Sequence, residues 1–276
     1  MTTDSPMPGF GLIIIGDEIL SGKRQDKHLP KVIELLGERG LALSWARYVG
    51  DDRPAITAAL RDAFASDQVV FSCGGIGATP DDHTRQCAAA ALGVALALHP
   101  EARALIEERM RDVAREQGET FDPDRPDNVH RLNMGVFPVG ARILPNPYNK
   151  IPGFSCLGPG GGEVHFVPGF PVMAWPMIAA VLDRDHAGRP GRVPQRERSV
   201  IVFGALEATL TPLMEQIEAD HPGIKVFSLP SVDHPTYGRH IELGVKGAAT
   251  LVDVAYAALL MGLQAHSARL GPEMVR

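Results

Sequence analysis

FGLIII, at Phe10–Ile15, leaves this chain the fewest options. The run is too short for a helix, rich in β-branched residues and stopped by Gly16, so it reads as a strand buried on both faces. Strands follow at 41–49 (LALSWARYV) and 68–73 (QVVFSC), and a single helix separates each from the one before. The first of these helices, in HLPKVIELLGERG, puts Leu29, Val32, Ile33, Leu35 and Leu36 on one face and stops at Gly40. The second spans 53–66, and a third is predicted over 80–92. Strands separated by single helices build a parallel sheet covered on both sides, so the fold class is α/β.

Residues 143–167 change the pattern to short strands broken by PNPYN and GPGGG, which predicts hairpin-like pairing added to the parallel sheet, and a helix over 172–182 closes the domain. The charged segment 100–118 carries Glu107 and Arg111 at i, i+4 spacing and reads as a solvated helix. The text from Asp183 to Arg198 is polar, basic and broken by Pro190 and Pro194. The expected organisation is an α/β domain over 1–183, a linker over 184–198, and a small α+β module over 199–276 with element order β-α-β-β-α.

Formal charge is −6, from 33 acidic and 27 basic residues. No helix carries a recurring basic face, so no nucleic-acid partner is expected. Cys73, Cys87 and Cys156 form no CxxC and read as buried thiols in a reduced compartment. No window reaches the roughly 18 to 20 apolar residues of a membrane span, and MTTDSPMPG is no leader, so a cytoplasmic protein with no membrane partner is expected. The absence of GxxxxGK[ST], of a complete dinucleotide fingerprint, of HExxH and of GxSxG argues against the enzymes those motifs mark.

In an open parallel sheet, ligands sit beyond the carboxyl ends of the strands. Two loops leave such ends with unusual chemistry: GDEILSG, after the first strand, and GGIGATPDD, after the third. In the second, Gly74, Gly75 and Gly77 allow a nest of backbone N–H groups suited to an anion. Thr79 is placed as the N-cap of the helix that follows, Pro80 as its first residue, and Asp82 as the capping-box partner. Asp81 has no such structural reason. Two carboxylates ~7 Å apart repel by about 0.6 kcal/mol in water and about 2.4 kcal/mol at an effective dielectric near 20, against roughly 0.3 to 1 kcal/mol returned by a helix dipole. Beside Asp17, Glu18 and a phosphate, this conflict predicts a divalent cation, Mg2+ or Mn2+, between the carboxylates and the ligand.

At these residues the sequence resembles the molybdopterin-binding, MoaB/Mog-like domain, in the form seen in competence-damage-inducible protein A. GDEILSG, GGIGATPDDHT, LPNPYNKIPGF and VPGFP carry the resemblance, which covers about residues 10 to 182. It implies a three-layer α/β/α domain with a mostly parallel sheet and one antiparallel strand, followed by a small module; the C-terminal amidase domain of many relatives is not expected in these 276 residues. It implies a phosphorylated pterin or nucleotide ligand. In the competence-damage branch it implies a metal-dependent pyrophosphatase acting on ADP-ribose-like molecules, and in molybdenum-cofactor enzymes the handling of molybdopterin. Asp17, Glu18, Gly74, Gly75, Gly77, Asp81, Asp82 and Thr84 match the family's positions. The chain departs at Asp26-Lys27-His28, where relatives commonly have Asp-Thr-Asn, and at Met173, where they have an acid.

Two readings follow. The first is a Mg2+-dependent hydrolase of a pyrophosphate. In it Asp81 holds the metal with Asp82 or Asp17, and Glu18 orients or deprotonates water. Gly16, Ser21, the N–H groups of Gly74, Gly75 and Gly77, Thr79, Thr84 and Gly169 bind the ligand. The alternative is a module that binds molybdopterin without turning it over, which Met173 favours. The apolar C-terminal helix adds the expectation of a homo-oligomer.

Overall fold

The computed structural model describes residues 9–187 and 195–276, and the chain divides into two compact units, Met1–Arg189 and Pro190–Arg276. The first unit runs through β1 (Phe10–Ile15), α1 (Asp17–Leu20), α2 (His28–Gly37), β2 (Leu43–Val49), α3 (Arg53–Ala65), β3 (Val69–Cys73) and α4 (Thr84–Leu92). It continues through β4 (Leu96–Leu98), α5 (Pro100–Gln117), α6 (Pro126–Arg131), β5 (Val136–Pro138), β6 (Arg142–Leu144), β7 (Gly153–Leu157), β8 (Glu163–Val167) and α7 (Pro171–Asp185).

Its main sheet has the order β2-β1-β3-β8-β7-β6. β1 pairs in parallel with β2 and β3, β3 pairs in parallel with β8, and β7 is antiparallel to both of its neighbours. The sheet is therefore parallel apart from β7. The apolar run of β1 divides by the two-residue strand period. Phe10, Leu12 and Ile14 enter one core with Val32, Leu35 and Leu36 of α2 and Met177, Ile178 and Val181 of α7. Ile13 and Ile15 enter the opposite core with Ile56, Leu60 and Phe64 of α3 and Cys87 and Ala88 of α4. Burial on both faces gives three layers and places the β1 and β3 carboxyl ends side by side.

Several boundaries depart from expectation. Helix α4 begins at Thr84, not Pro80, because Thr79 and Asp82 close a turn of their own. The Thr79 N–H donates to Asp82 Oδ2 at 2.8 Å, and the Asp82 N–H donates to the Thr79 carbonyl at 3.0 Å. Such short-range bonds compete with helix formation. Thr79 thus caps no helix, though Asp82 reaches back to it as a capping-box acid would. Residues 184 and 185 of the expected linker finish α7, where Arg184 pairs with Asp185 at 2.7 Å. Residues 195–198 belong to a strand, and 188–194 lie outside the described residues. Glu107 and Arg111 form the expected pair on α5, at 3.1 Å, and all three cysteines are buried and free.

The second unit contains β9 (Gln195–Phe203), α8 (Glu207–Asp220), β10 (Lys225–His234), β11 (Gly238–Ala248), α9 (Ala249–Ala265) and β12 (Arg269–Val275). The strands form an antiparallel sheet in the order β10-β11-β9-β12, packed against both helices. β12 is an addition to the expected β-α-β-β-α order, in a segment, RLGPEMV, that holds a glycine and a proline. An irregularity in its pairing between Leu270 and Glu273 accommodates both at the sheet edge. Leu251, Val254 and Met261 of α9 are exposed. Among the described residues, no helix is long and apolar enough to cross a membrane.

Candidate functional site

Beyond the ends of β1, β3 and β8 lies a cavity of about 570 Å3. Gly16 and Glu18 line it from the loop after β1, and Gly169, Phe170 and Met173 from the loop after β8 and the start of α7. The long loop after β3 contributes Gly74 through Thr79, with Asp81 and Asp82. The two acidic loops therefore meet at one cavity, because β1 and β3 are neighbours in parallel register.

The turn after β3 is held by sterically demanding contacts. Gly74 has φ 106°, and a Cβ there would lie 2.4 Å from the Ile15 carbonyl oxygen. Gly75 has φ 67°, and its Cβ would lie 2.1 Å from Thr84 Oγ1. A side chain at either position would combine strain with overlap. The Thr84 hydroxyl donates to the Gly74 carbonyl at 3.1 Å, and the Thr84 N–H donates to the Gly75 carbonyl at 3.0 Å. Thr84 is fully buried, so it braces the turn and does not reach a ligand, contrary to expectation. The N–H of Gly74 is spent on the Val167 carbonyl and that of Gly16 on the Val49 carbonyl, each at 3.0 Å. Among the described residues, the N–H groups of Gly75, Ile76, Gly77 and Ala78 have no protein acceptor.

The acids divide into those held by the protein and those left over. Asp17 Oδ1 accepts from the Asp51 N–H at 3.1 Å, and Asp51 Oδ2 accepts from the Asp17 N–H at 2.9 Å. Asp17 is thereby drawn to the loop after β2 and does not line the cavity. Asp51, absent from the expected site, lines it instead. Burial pushes the Asp51 carboxyl above its ordinary range, the Asp17 N–H opposes that, and the Asp17, Glu18 and Asp81 carboxylates push the same way as burial. The Thr79 hydroxyl lies 2.5 Å from Asp82 Oδ2. A hydroxyl has one proton to give, and its short contact gives it to Asp82. Ser21 is exposed at the end of α1, its N–H bonded to the Asp17 carbonyl at 2.8 Å, and it does not line the cavity.

These assignments decide how well a cation would fit. Among the described residues, no three His, Cys, Asp or Glu side chains stand together as a metal site. The expected set of Asp17, Asp81 and Asp82 is not preassembled, since Asp17 and Asp82 are engaged with backbone and hydroxyl donors. The residues as arranged do not fit a resident metal.

The opposite wall comes from the PNPYN turn and α7. Asn146 donates to Asn149 Oδ1 at 2.8 Å and to the Ile151 carbonyl at 3.0 Å. Asn149 in turn donates to Met173 Sδ at 3.4 Å. Ile76, Met134, Ile151, Phe170 and Met173 give this cavity apolar surface. Beside it lies a second cavity of about 340 Å3, which shares Ile15, Glu18, Arg24, Gly169 and Phe170 with the first. Asp51 was within reach of the sequence: GDD at the end of β2 is a third acidic strand-end loop, hidden by the capping role of Asp52, which accepts from the Ala55 N–H at 2.9 Å. The asparagines gave no comparable signal, because their approach depends on the antiparallel pairing of β6 and β7.

A family model described as a probable molybdopterin binding domain matches residues 11–186. A CinA-like protein from Syntrophotalea carbinolica is 32% identical over 218 residues, covering 76% of this chain and 50% of that protein. A protein from Pyrobaculum calidifontis is 29% identical, covering 85% of this chain and 87% of its own. The crystal structure of a CinA protein of unknown function from Thermoplasma acidophilum superposes with a TM-score of 0.53 and 28% identity, covering 64% of this chain and 98% of that one. The chain spans half or less of the length of the first CinA-like relatives it matches.

Proposed function

Since the chain belongs to the probable molybdopterin binding domain family, we propose that its strand-end cavity binds a phosphorylated pterin of the molybdopterin class. One observation carries this reading: free backbone donors and free carboxylate acceptors meet in a single cavity that also has apolar walls. A fused heterocycle has flat apolar faces and an edge of alternating N–H donors and carbonyl or ring-nitrogen acceptors. Ile76, Ile151 and Phe170 suit the faces, Glu18, Asp81 and the second carboxylate oxygen of Asp51 suit the N–H groups, and the unspent N–H groups of Gly75–Ala78 suit the acceptors. The volume, about 570 Å3, lies within the common range for small-ligand sites of roughly 300 to 1,000 Å3.

Met173 favours binding over turnover, because the position facing Asn149 carries a thioether and adds no charge to the cavity. Calorimetry with a pterin monophosphate, beside mass spectrometry of small molecules that copurify, tests the reading. Association without product over hours is the expected result, and failure to retain any pterin or nucleotide overturns it.

A second reading, Mg2+-dependent hydrolysis of an ADP-ribose-like pyrophosphate, is favoured by the crowding of Glu18, Asp51, Asp81 and Asp82 at one cavity. A diphosphate added there meets like charge, at a cost of about 2.4 kcal/mol for a pair of charges ~7 Å apart at an effective dielectric near 20, which a cation arriving with the ligand would relieve. AMP release from ADP-ribose with and without Mg2+, in wild type and Asp81→Ala, decides between the readings. Equal rates in the two proteins end the hydrolase reading.

A further inference from the structure

We propose that the phosphate end of the ligand occupies the smaller, adjoining cavity, held by Arg24 and Lys27 with His28 Nδ1 as a third partner, while the larger cavity takes the ring system. This deepens the proposed function and rests on it for the identity of the ligand, but not for the existence of an anion site. The two cavities differ in charge. Glu18, Asp51, Asp81 and Asp82 line the larger one, with Arg24 as the cation among its lining residues. Arg24 and Lys27 line the smaller, against the carboxylate of Glu18. A phosphate is repelled from the first and attracted to the second.

Three details support an anion there. Neither Arg24 nor Lys27 has an ion-pair partner among the described residues, so their charge is uncommitted. Asp26, the neighbouring acid, keeps its charge but directs its oxygens to other donors: its carboxylate accepts from the N–H groups of His28 and Leu29, at 2.8 and 3.1 Å, and from the Tyr48 hydroxyl at 2.8 Å. The third detail is His28, which lines the smaller cavity and is 5% exposed. A carbonyl can only accept, so Nε2 carries the proton it donates to the Gly169 oxygen at 3.0 Å. Nδ1 is buried with no partner among the described residues. Unmet buried polar atoms are uncommon and mark places where a partner is missing. In the neutral ring Nδ1 accepts the O–H of a singly protonated phosphate, and in the imidazolium it donates to the fully ionised form. Gly169 and Phe170 border both cavities, so one elongated molecule can fill the two together.

Titration of inorganic phosphate into the full chain, followed by NMR on the His28 ring protons assigned through His28→Gln, tests the subsite without a larger ligand. The His28 resonances should move saturably in wild type and in Lys23→Gln, which removes a charge lining neither cavity. Arg24→Gln/Lys27→Gln should need at least about tenfold more phosphate for the same shift, and Lys27→Arg in place of Lys27→Gln should recover most of the loss. Unmoved resonances, or equal titrations in wild type and the double variant, overturn the proposal. Calorimetry with ADP-ribose and with a pterin monophosphate separates the two claims. Phosphate binding at His28 without retention of either compound sinks the proposed function and upholds the anion site. Retention that is indifferent to Arg24→Gln/Lys27→Gln overturns the site.

Discussion

The loops after β1 and β3 look alike in sequence, each a glycine turn that ends in adjacent acids, but they hold those acids differently. After β1, Asp17 is tied across 34 positions of sequence to Asp51, each accepting the other's backbone N–H. After β3, Asp82 is tied three residues back to Thr79. Each loop thus keeps one carboxylate for its own shape and turns another, Glu18 or Asp81, toward the cavity. A pair of acids in a strand-end loop is therefore not a pair of ligands by default.

The sharpest way to break the parallel is steric. Gly74→Ala sets a methyl group against the Ile15 backbone in a left-handed residue, and should cost about 3 kcal/mol in urea unfolding. Gly50→Ala, after β2, tests the loop after β1 through the Asp17 side chain that reaches it: the ideal Cβ lies 2.5 Å from Asp17 Oδ1 and 3.4 Å from Leu20 Cδ1, both side-chain ends that can shift, and the cost should be about 1 kcal/mol or less. Equal costs would mean that the two loops are held with the same rigidity.

Acid is the next lever, through His165 on β8, beside β3. Burial, the largest cause, lowers its pKa from 6.5 to about 3. Below pH 6.5 the unfolded chain takes a proton that the folded chain refuses. Its stabilising contribution is complete above that pH and declines as pH falls toward 3. At pH 5 the loss should be about 2 kcal/mol by denaturant titration, so ligand comparisons of the two loops belong above pH 6.5. A flat stability profile between pH 5 and 7 would contradict this.

Removing the structural acids should cost less again. Asp17→Ala and Asp82→Ala should each lower stability by about 1 kcal/mol, through stranded backbone donors. Glu18→Gln and Asp81→Asn should leave the unfolding midpoint unchanged while weakening pterin phosphate binding in calorimetry. The opposite pattern, with stability lost at Glu18 or Asp81, would reverse the division of roles.

Much of this was legible beforehand. FGLIII, VVFSC and the helices between them specified a parallel sheet through burial periodicity alone, and the resemblance carried by GGIGATPDDHT pointed to the family. The turn chemistry of Gly74 and Gly75 was visible as well, although the start of α4 was not, because Asp82 closes a turn before the helix. Thr84 and Ser21 match ligand-binding positions in sequence, yet the fold buries one beneath the turn and leaves the other outside the cavity. β12 lies beyond the expected β-α-β-β-α order, and this edge strand tolerates Gly271 and Pro272 at an irregularity in its pairing.

The sequence by itself determined the α/β class, the glycine turn and the acids near the strand ends, since strand period and turn conformation depend on residues close together in the chain. Only the tertiary structure decided which carboxylates remain free, that Asp51 replaces Asp17 at the cavity, and that Arg24, Lys27 and His28 line a cavity of opposite charge beside it. Those outcomes depend on which strand ends become neighbours, and contacts such as Asp17 with Asp51 or His28 with Gly169, 141 positions apart, are fixed by sheet order.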